Sequence, residues 1–206
     1  MRYGMLLDIE RCVGCGACVM ACKVEQGTPH GIYWANVFFK ESGTYPSAKW
    51  TPVPSGCMHC QDAPCVNVCP TGASYHDENG IVLVDASKCL GCRACMNACP
   101  YNARHLYHTT VEETPAFGSD YEPTPFELAK ADKHKKGTVG KCVLCHERIA
   151  EGKKPACATT CISKARIFGD LDDPTSEISQ AIKKKNAKPM AENLHTNPSV
   201  FYAGTI

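Results

Sequence analysis

Apolar and polar positions along this chain change period every few residues, and no apolar run is long. "YGMLLDI" (3–9) alternates loosely and predicts a strand. "ACVMACKVEQ" (17–26) predicts a short helix. Residues 27–56 show little regular periodicity, with a strand expected inside "GIYWANVFFK". Two short runs, Ala73–His76 and Ile81–Asp85, flank a "DENG" turn and predict a hairpin. "RHLY" predicts a returning strand. Residues 108–138 read as a long surface connection with a short helix at "PFELAKAD". "KARIFGDLDDP" predicts a strand and a turn, and "TSEISQAIKKK" a helix opened by a Ser/Thr cap. The tail to Ile206 is expected to lie along this chain or a partner. Short strands beside short helices make an α+β fold with long connecting loops.

No stretch approaches the length of apolar residues needed to span a bilayer. The opening "MRYGMLLDIERC" lacks the pattern of a signal peptide, so export or membrane attachment is expected to depend on another chain. Lys and Arg total 22 against 21 Asp and Glu, which gives no reason to expect nucleic acid or anionic lipid as a bulk partner. "KADKHKKGTVGK" and "KKKNAK" read as solvated surface, and the first, ending beside Cys142, is a candidate to offset negative charge at a metal site or a partner surface. The hydrophobic content of 44% already counts the cysteines, so the apolar core is thin. Disulfides or metal must hold the fold together.

The 16 cysteines decide which. They form four groups of four: Cys12, Cys15, Cys18 and Cys22; Cys57, Cys60, Cys65 and Cys69; Cys89, Cys92, Cys95 and Cys99; Cys142, Cys145, Cys157 and Cys161. Groups one and three follow C-x2-C-x2-C-x3-C; groups two and four keep both ends and stretch the middle gap. Three thiolates two residues apart can wrap a cubane iron–sulfur cluster on one loop. Gly14, Gly16 and Gly91 allow the tight turns and bring N–H groups to the sulfurs. Zinc gives no reason for the third cysteine, and a disulfide scaffold needs an oxidising compartment. A purely structural cluster is the more serious alternative for any one site, but four in so small a chain point to a conducting row. Pro70 and Pro100 steer the chain away after groups two and three; Ile162 stands at that place in group four.

In paired clusters the fourth cysteine of each motif serves the other cluster. That rule predicts Cys57, Cys60, Cys65 and Cys99 for one cluster and Cys69, Cys89, Cys92 and Cys95 for its mate. Groups one and four then pair across them: Cys12, Cys15, Cys18 and Cys161, and Cys22, Cys142, Cys145 and Cys157. The expected architecture is two bacterial-type, two-cluster ferredoxin-like units, one inserted in the other. Residues 1–50 plus 108–206 make the outer unit and 51–107 the inserted one.

Nearly the whole chain resembles the four-cluster iron–sulfur subunit of the molybdopterin oxidoreductase (dimethyl sulfoxide reductase) family. It is most like the subunits of polysulfide, thiosulfate, arsenate and dimethyl sulfoxide reductases. The resemblance rests on "MRYGMLLDIERCVGCGACVMACK", "CMHCQDAPCVNVCPTGA", "GIVLVDASKCLGCRACMNACPYNAR", "KCVLCHERIAEGKKPACATTC" and "ARIFGDLDDP". It implies an electron-transfer subunit of a respiratory-type reductase. The molybdopterin, with molybdenum or tungsten, belongs to a catalytic partner; electrons pass to or from a quinone-linked membrane subunit or a cytochrome. It places the cluster of group one with Cys161 nearest that partner, then group four with Cys22, group two with Cys99 and group three with Cys69. It also implies a peripheral position on the periplasmic or cytoplasmic face of a membrane, reached, if exported, on the partner's signal. Some branches replace a cysteine of the third group; here every position is cysteine, so four 4Fe–4S clusters are expected. Formate dehydrogenase relatives carry a C-terminal membrane helix, whereas this sequence ends at "NPSVFYAGTI".

No H-E-x-x-H, P-loop or G-x-G-x-x-G stands in its proper context. His59 and His146 are expected beside the thiols or at the surface rather than as ligands. Met20, Met58 and Met96 are expected against clusters or core, and Trp34 and Trp50 in the core or at an interface. Arg93 and Lys141 are candidates to moderate cluster potential. Thiolates close every iron site, so catalysis by this chain alone is not expected. The rival readings are a stand-alone polyferredoxin and an assembly protein stapled by clusters.

Overall fold

A computed structural model describes residues 1–113 and 122–205. All sixteen cysteines fall within them; the middle of the connection expected over 108–138 lies outside.

The strand β1 (Tyr3–Asp8) leads into group one, and helix α1 (Ala17–Gln26) follows it with the boundaries that its pattern predicts. A long hairpin comes next, β2 (Asn36–Ser42) and β3 (Lys49–Ser55), paired from Asn36 opposite Ser55 to Ser42 opposite Lys49. Sequence periodicity missed β3 because Pro52 and Pro54 interrupt it; a two-stranded ribbon tolerates prolines that donate no ladder bond. Helix α2 (Pro64–Asn67), the hairpin β4 (Ser74–His76) and β5 (Val82–Val84), helix α3 (Ala94–Asn97) and strand β6 (His105–Leu106) carry groups two and three. Then come α4 (Pro125–Leu128), under a Thr124–Glu127 capping box, and β7 (Val139–Gly140), paired with β6. Group four is laid out around α5 (His146–Ala150), which Cys145 caps, and α6 (Ala156–Thr159), which holds Cys157. Strand β8 (Arg166–Asp170), helix α7 (Glu177–Lys185, capped by the Ser176 hydroxyl), β9 (Lys188–Pro189) and β10 (Val200–Ala203) complete the chain.

The largest sheet has the order β8-β1-β10-β9. β1 runs parallel to β10 and antiparallel to β8, so the tail is tied to the first strand of its own chain. Period-two alternation divides β1: Leu6 packs with Ile178 of α7 and Ala203, whereas Met5 and Leu7 join the main core. That core includes Met58, Ile81, Val82, Val139, Leu144 and Tyr202 together with Cys60, Cys65 and Cys95. Thiols and aliphatic side chains therefore share one interior, as the thin apolar content requires. α1 packs on α6, and α2 on α3.

Candidate metal centres

The four cysteine loops share a backbone device. The residue two places after each first cysteine is left-handed: Gly14 (φ 69°), His59 (φ 44°), Gly91 (φ 66°) and Leu144 (φ 52°). This turn points N–H groups back at sulfur: His59 N–H lies 3.5 Å from Cys57 Sγ and Leu144 N–H 3.4 Å from Cys142 Sγ. Gly14 N–H does the same for Cys12. Two loops take the strained conformation without glycine, where sequence reasoning looked for glycine alone.

Long-range folding brings the groups together in crossed sets. Cys22 of group one feels the charges of Cys142, Cys157 and Cys145, and all four line one cavity. Cys99 of group three joins Cys57, Cys60 and Cys65 around a second. Cys69 of group two joins Cys89, Cys92 and Cys95 around a third. Cys161 of group four stands by Cys12 and Cys18, with Cys15 exposed on the same loop. Among the described residues, no three His, Cys, Asp or Glu side chains converge as a single bound ion requires. Three of the quartets instead line cavities, a donor arrangement that suits a multi-iron core.

The electrostatics ask for such a core. Burial, followed by repulsion from neighbouring thiolates, pushes Cys60 and Cys142 up to about 12; Cys145 rises to about 11, chiefly through burial. Cys22 is driven well up for the same reasons. Four such sulfurs become thiolates together only around concentrated positive charge. Burial also acts on Cys69 and Cys161, but N–H and hydroxyl donors outweigh it and bring both down: Ser74, Thr71 and Ala73 for Cys69, and Ser163, Ala165 and Arg166 for Cys161.

Consecutive quartets adjoin. Cys18 lies close enough to Cys157, and Cys57 to Cys142, for each pair to repel. Cys65 and Cys95 flank one guanidinium, that of Arg104. Arg166 lies between Cys18 Sγ at 3.4 Å and Cys157 Sγ at 3.8 Å. Neither arginine was singled out from the sequence, although both stand five places after a group's last cysteine, in "CPYNAR" and "CISKAR". Lys141 is buried as a candidate should be, but Arg93 is exposed and caps α3 with its backbone.

The other expectations divide. His59 is wholly enclosed, its Nδ1 accepting from Val82 N–H at 3.2 Å, and burial holds it well below the ordinary imidazole range. His146 is partly buried. Met58 is in the core and Met96 packs against it, but Met20 is exposed. Trp34 is buried with Tyr107, and Trp50 stands out on β3.

The 4Fe-4S dicluster domain family matches residues 48–114 and 117–171, and a second 4Fe-4S dicluster domain matches residues 11–73. The iron–sulfur subunit ArrB of the arsenate respiratory reductase of Shewanella sp. (strain ANA-3) is 39% identical, over 98% of this chain and 96% of its own. One subunit of the selenate reductase of Mesobacillus selenatarsenatis is 40% identical over 98% of this chain and 72% of its own. One subunit of the Salmonella typhimurium tetrathionate reductase is 36% identical, again over 98% and 72%. Dicluster domains and sixteen cysteines together make four 4Fe–4S clusters the complement of this chain.

Proposed function

The chain belongs to the family of iron–sulfur electron-transfer subunits of molybdoenzyme reductases, and we propose that it relays electrons along a single row of four clusters. The first is held by Cys12, Cys15, Cys18 and Cys161, and the second by Cys22, Cys142, Cys145 and Cys157. The third is held by Cys57, Cys60, Cys65 and Cys99, and the fourth by Cys69, Cys89, Cys92 and Cys95. Residues 1–50 and 108–206 form an outer ferredoxin-like unit around an inserted one, 51–107, with β3 running across the first boundary. The packing of α1 on α6 and of α2 on α3 supports this nesting.

One observation carries the reading: the quartets adjoin in order, with Cys18 near Cys157, Cys142 near Cys57, and Cys65 and Cys95 both beside the Arg104 guanidinium. The ends of the row are open. Exposed Cys15 lies among Val13, Met20 and Phe39, and exposed Cys92 beside Leu90. An apolar patch at the rim of a redox site is a docking surface. The molybdopterin subunit docks at the Cys15 end; a quinone-linked membrane subunit or a cytochrome meets the Cys92 end. No helix of the described residues is long and apolar enough to cross a membrane. Relatives serve reductases of arsenate, selenate and tetrathionate, so the acceptor is set by the catalytic partner.

The test is anaerobic purification of the native complex. It should contain about sixteen irons per chain, four for each quartet. Cys99→Ser should remove the same cluster signal as Cys57→Ser, and Cys69→Ser the same as Cys89→Ser. Loss of one common signal from Cys99→Ser and Cys89→Ser would defeat the crossed assignment. A free monomer in native extract would favour the stand-alone carrier.

A further inference from the structure

We propose that a fixed cation stands at every junction of the row and raises the potentials of the two clusters it adjoins: Arg166 between the first and second, Lys141 between the second and third, and Arg104 between the third and fourth. This rests on the ligand assignment above.

Geometry puts each cation between two quartets. Arg166 directs Nη2 at Cys18 Sγ (3.4 Å) and Nη1 at Cys157 Sγ (3.8 Å) and Met5 Sδ (3.4 Å). Lys141, 1% exposed, donates from Nζ to the carbonyls of Cys142 (2.7 Å) and Val82. Its charge reaches Cys142 on one side and Cys65 on the other. Arg104, 2% exposed, spends Nη1 on the Ser74 hydroxyl at 2.8 Å. Its Nε and Nη2 are enclosed without an oxygen partner, and the sulfurs of Cys65 and Cys95 flank the group.

None of the three meets a carboxylate of the described residues, among which nine ion pairs form elsewhere. A buried cation with no counter-charge is strongly unfavourable. Lys141 and Arg104 are buried and Arg166 is half-buried, and the thiolate quartets supply the counter-charge of all three. An electron arriving beside such a cation is stabilised by Coulomb attraction that little solvent screens, which favours reduction.

The placement follows the repeat. Arg104 and Arg166 hold the same place in their units, five residues after Cys99 and Cys161. Lys141 precedes Cys142 as Lys88 precedes Cys89, yet Lys88 is exposed and pairs with Asp85 at 3.4 Å. Lys141 is enclosed because Val82, from the β4–β5 hairpin, closes over it. The two arginines belong to the units, and the lysine belongs to their seam.

The experiment is a redox titration of the full chain assembled anaerobically with its clusters, followed by electron paramagnetic resonance, for the wild type, Arg166→Gln, Lys141→Gln and Arg104→Gln. Each variant should move two of four midpoint potentials to more negative values and leave the other two in place. The Lys141→Gln pair should share one member with each arginine variant's pair, and the two arginine pairs should share none. A uniform shift of all four, no shift at all, or a cluster moved by both arginine variants overturns the proposal. Iron content separates this from the reading it rests on: a wild type with far fewer than about sixteen irons breaks the assignment itself. If a glutamine variant loses iron, Arg166→Lys, Arg104→Lys and Lys141→Arg decide. Full iron with near-native potentials upholds the role of charge, and iron lost there too assigns these residues to packing.

Discussion

Tyr107 donates its hydroxyl proton to Nδ1 of His134 across 2.9 Å, with both side chains buried. The other ring nitrogen of His134, Nε2, donates to the Gln26 carbonyl at 2.6 Å. One neutral imidazole thus joins the end of α1, which carries Cys22, to the strand leaving group three. Burial holds His134 below its ordinary 6.5; the Gln26 bond opposes this, and Lys23, Lys133 and Lys130 add to it. An unfolded chain takes up the proton as pH falls through about 6.5, whereas the folded one resists it, so acidification favours unfolding. The stability advantage of wild type over His134→Gln should therefore shrink between about pH 7 and pH 5.5. Denaturant midpoints of the cluster-loaded proteins at several pH values would measure it; a constant difference would refute it.

Gly91 has φ 66°, and a Cβ there would lie 2.0 Å from the Gly137 carbonyl oxygen. The left-handed backbone alone costs a non-glycine residue about 1–3 kcal/mol, and the contact is with backbone that cannot swing away. Gly91→Ala should lower stability by at least that amount and lose the fourth cluster first. Gly16→Ala, also left-handed but with nothing within 4 Å, is the control and should cost less. Equal losses in iron analysis and thermal unfolding would count against the steric argument.

Asp8 is fully buried at the end of β1, and Lys185 Nζ, on the last residue of α7, lies 3.1 Å from its Oδ2. Lys185→Met leaves a buried carboxylate unpaired, a change of about 3 kcal/mol once partial solvent access at Lys185 is allowed for. Asp8→Asn combined with Lys185→Met should recover much of that loss. Chemical denaturation of Lys185→Met, Asp8→Asn and the double variant checks the cycle, and strictly additive losses would contradict it.

Phe39 lies against Gly14 of the first cysteine loop, and Trp50 sits beside it with ring centroids 5.8 Å apart while 66% exposed. Phe39→Glu and Trp50→Glu should release the catalytic partner during copurification and leave about sixteen irons in this chain. Retention of the complex through salt washes would move the docking face elsewhere.

Much of the fold was legible because its signals are local. Helix α1 follows from its own ten residues, α7 from Ser176 and an amphipathic run, and the β4–β5 hairpin from its turn. β3 was hidden by its prolines, and the pairing of β10 with β1 joins residues nearly a chain length apart, which no short window can reveal. Arg104 and Arg166 carried a signal, the shared offset from a last cysteine, but it emerges only when two motifs are laid side by side.

Thiol count and their division into fours follow from covalent spacing alone, because a short loop either reaches around a metal core or does not. Which cation loses its water was decided by tertiary packing. Lys88 and Lys141 precede their cysteines in the same way, and Arg93 and Arg104 both lie near theirs. Only the second of each pair is enclosed, because burial depends on what a distant segment lays over a side chain.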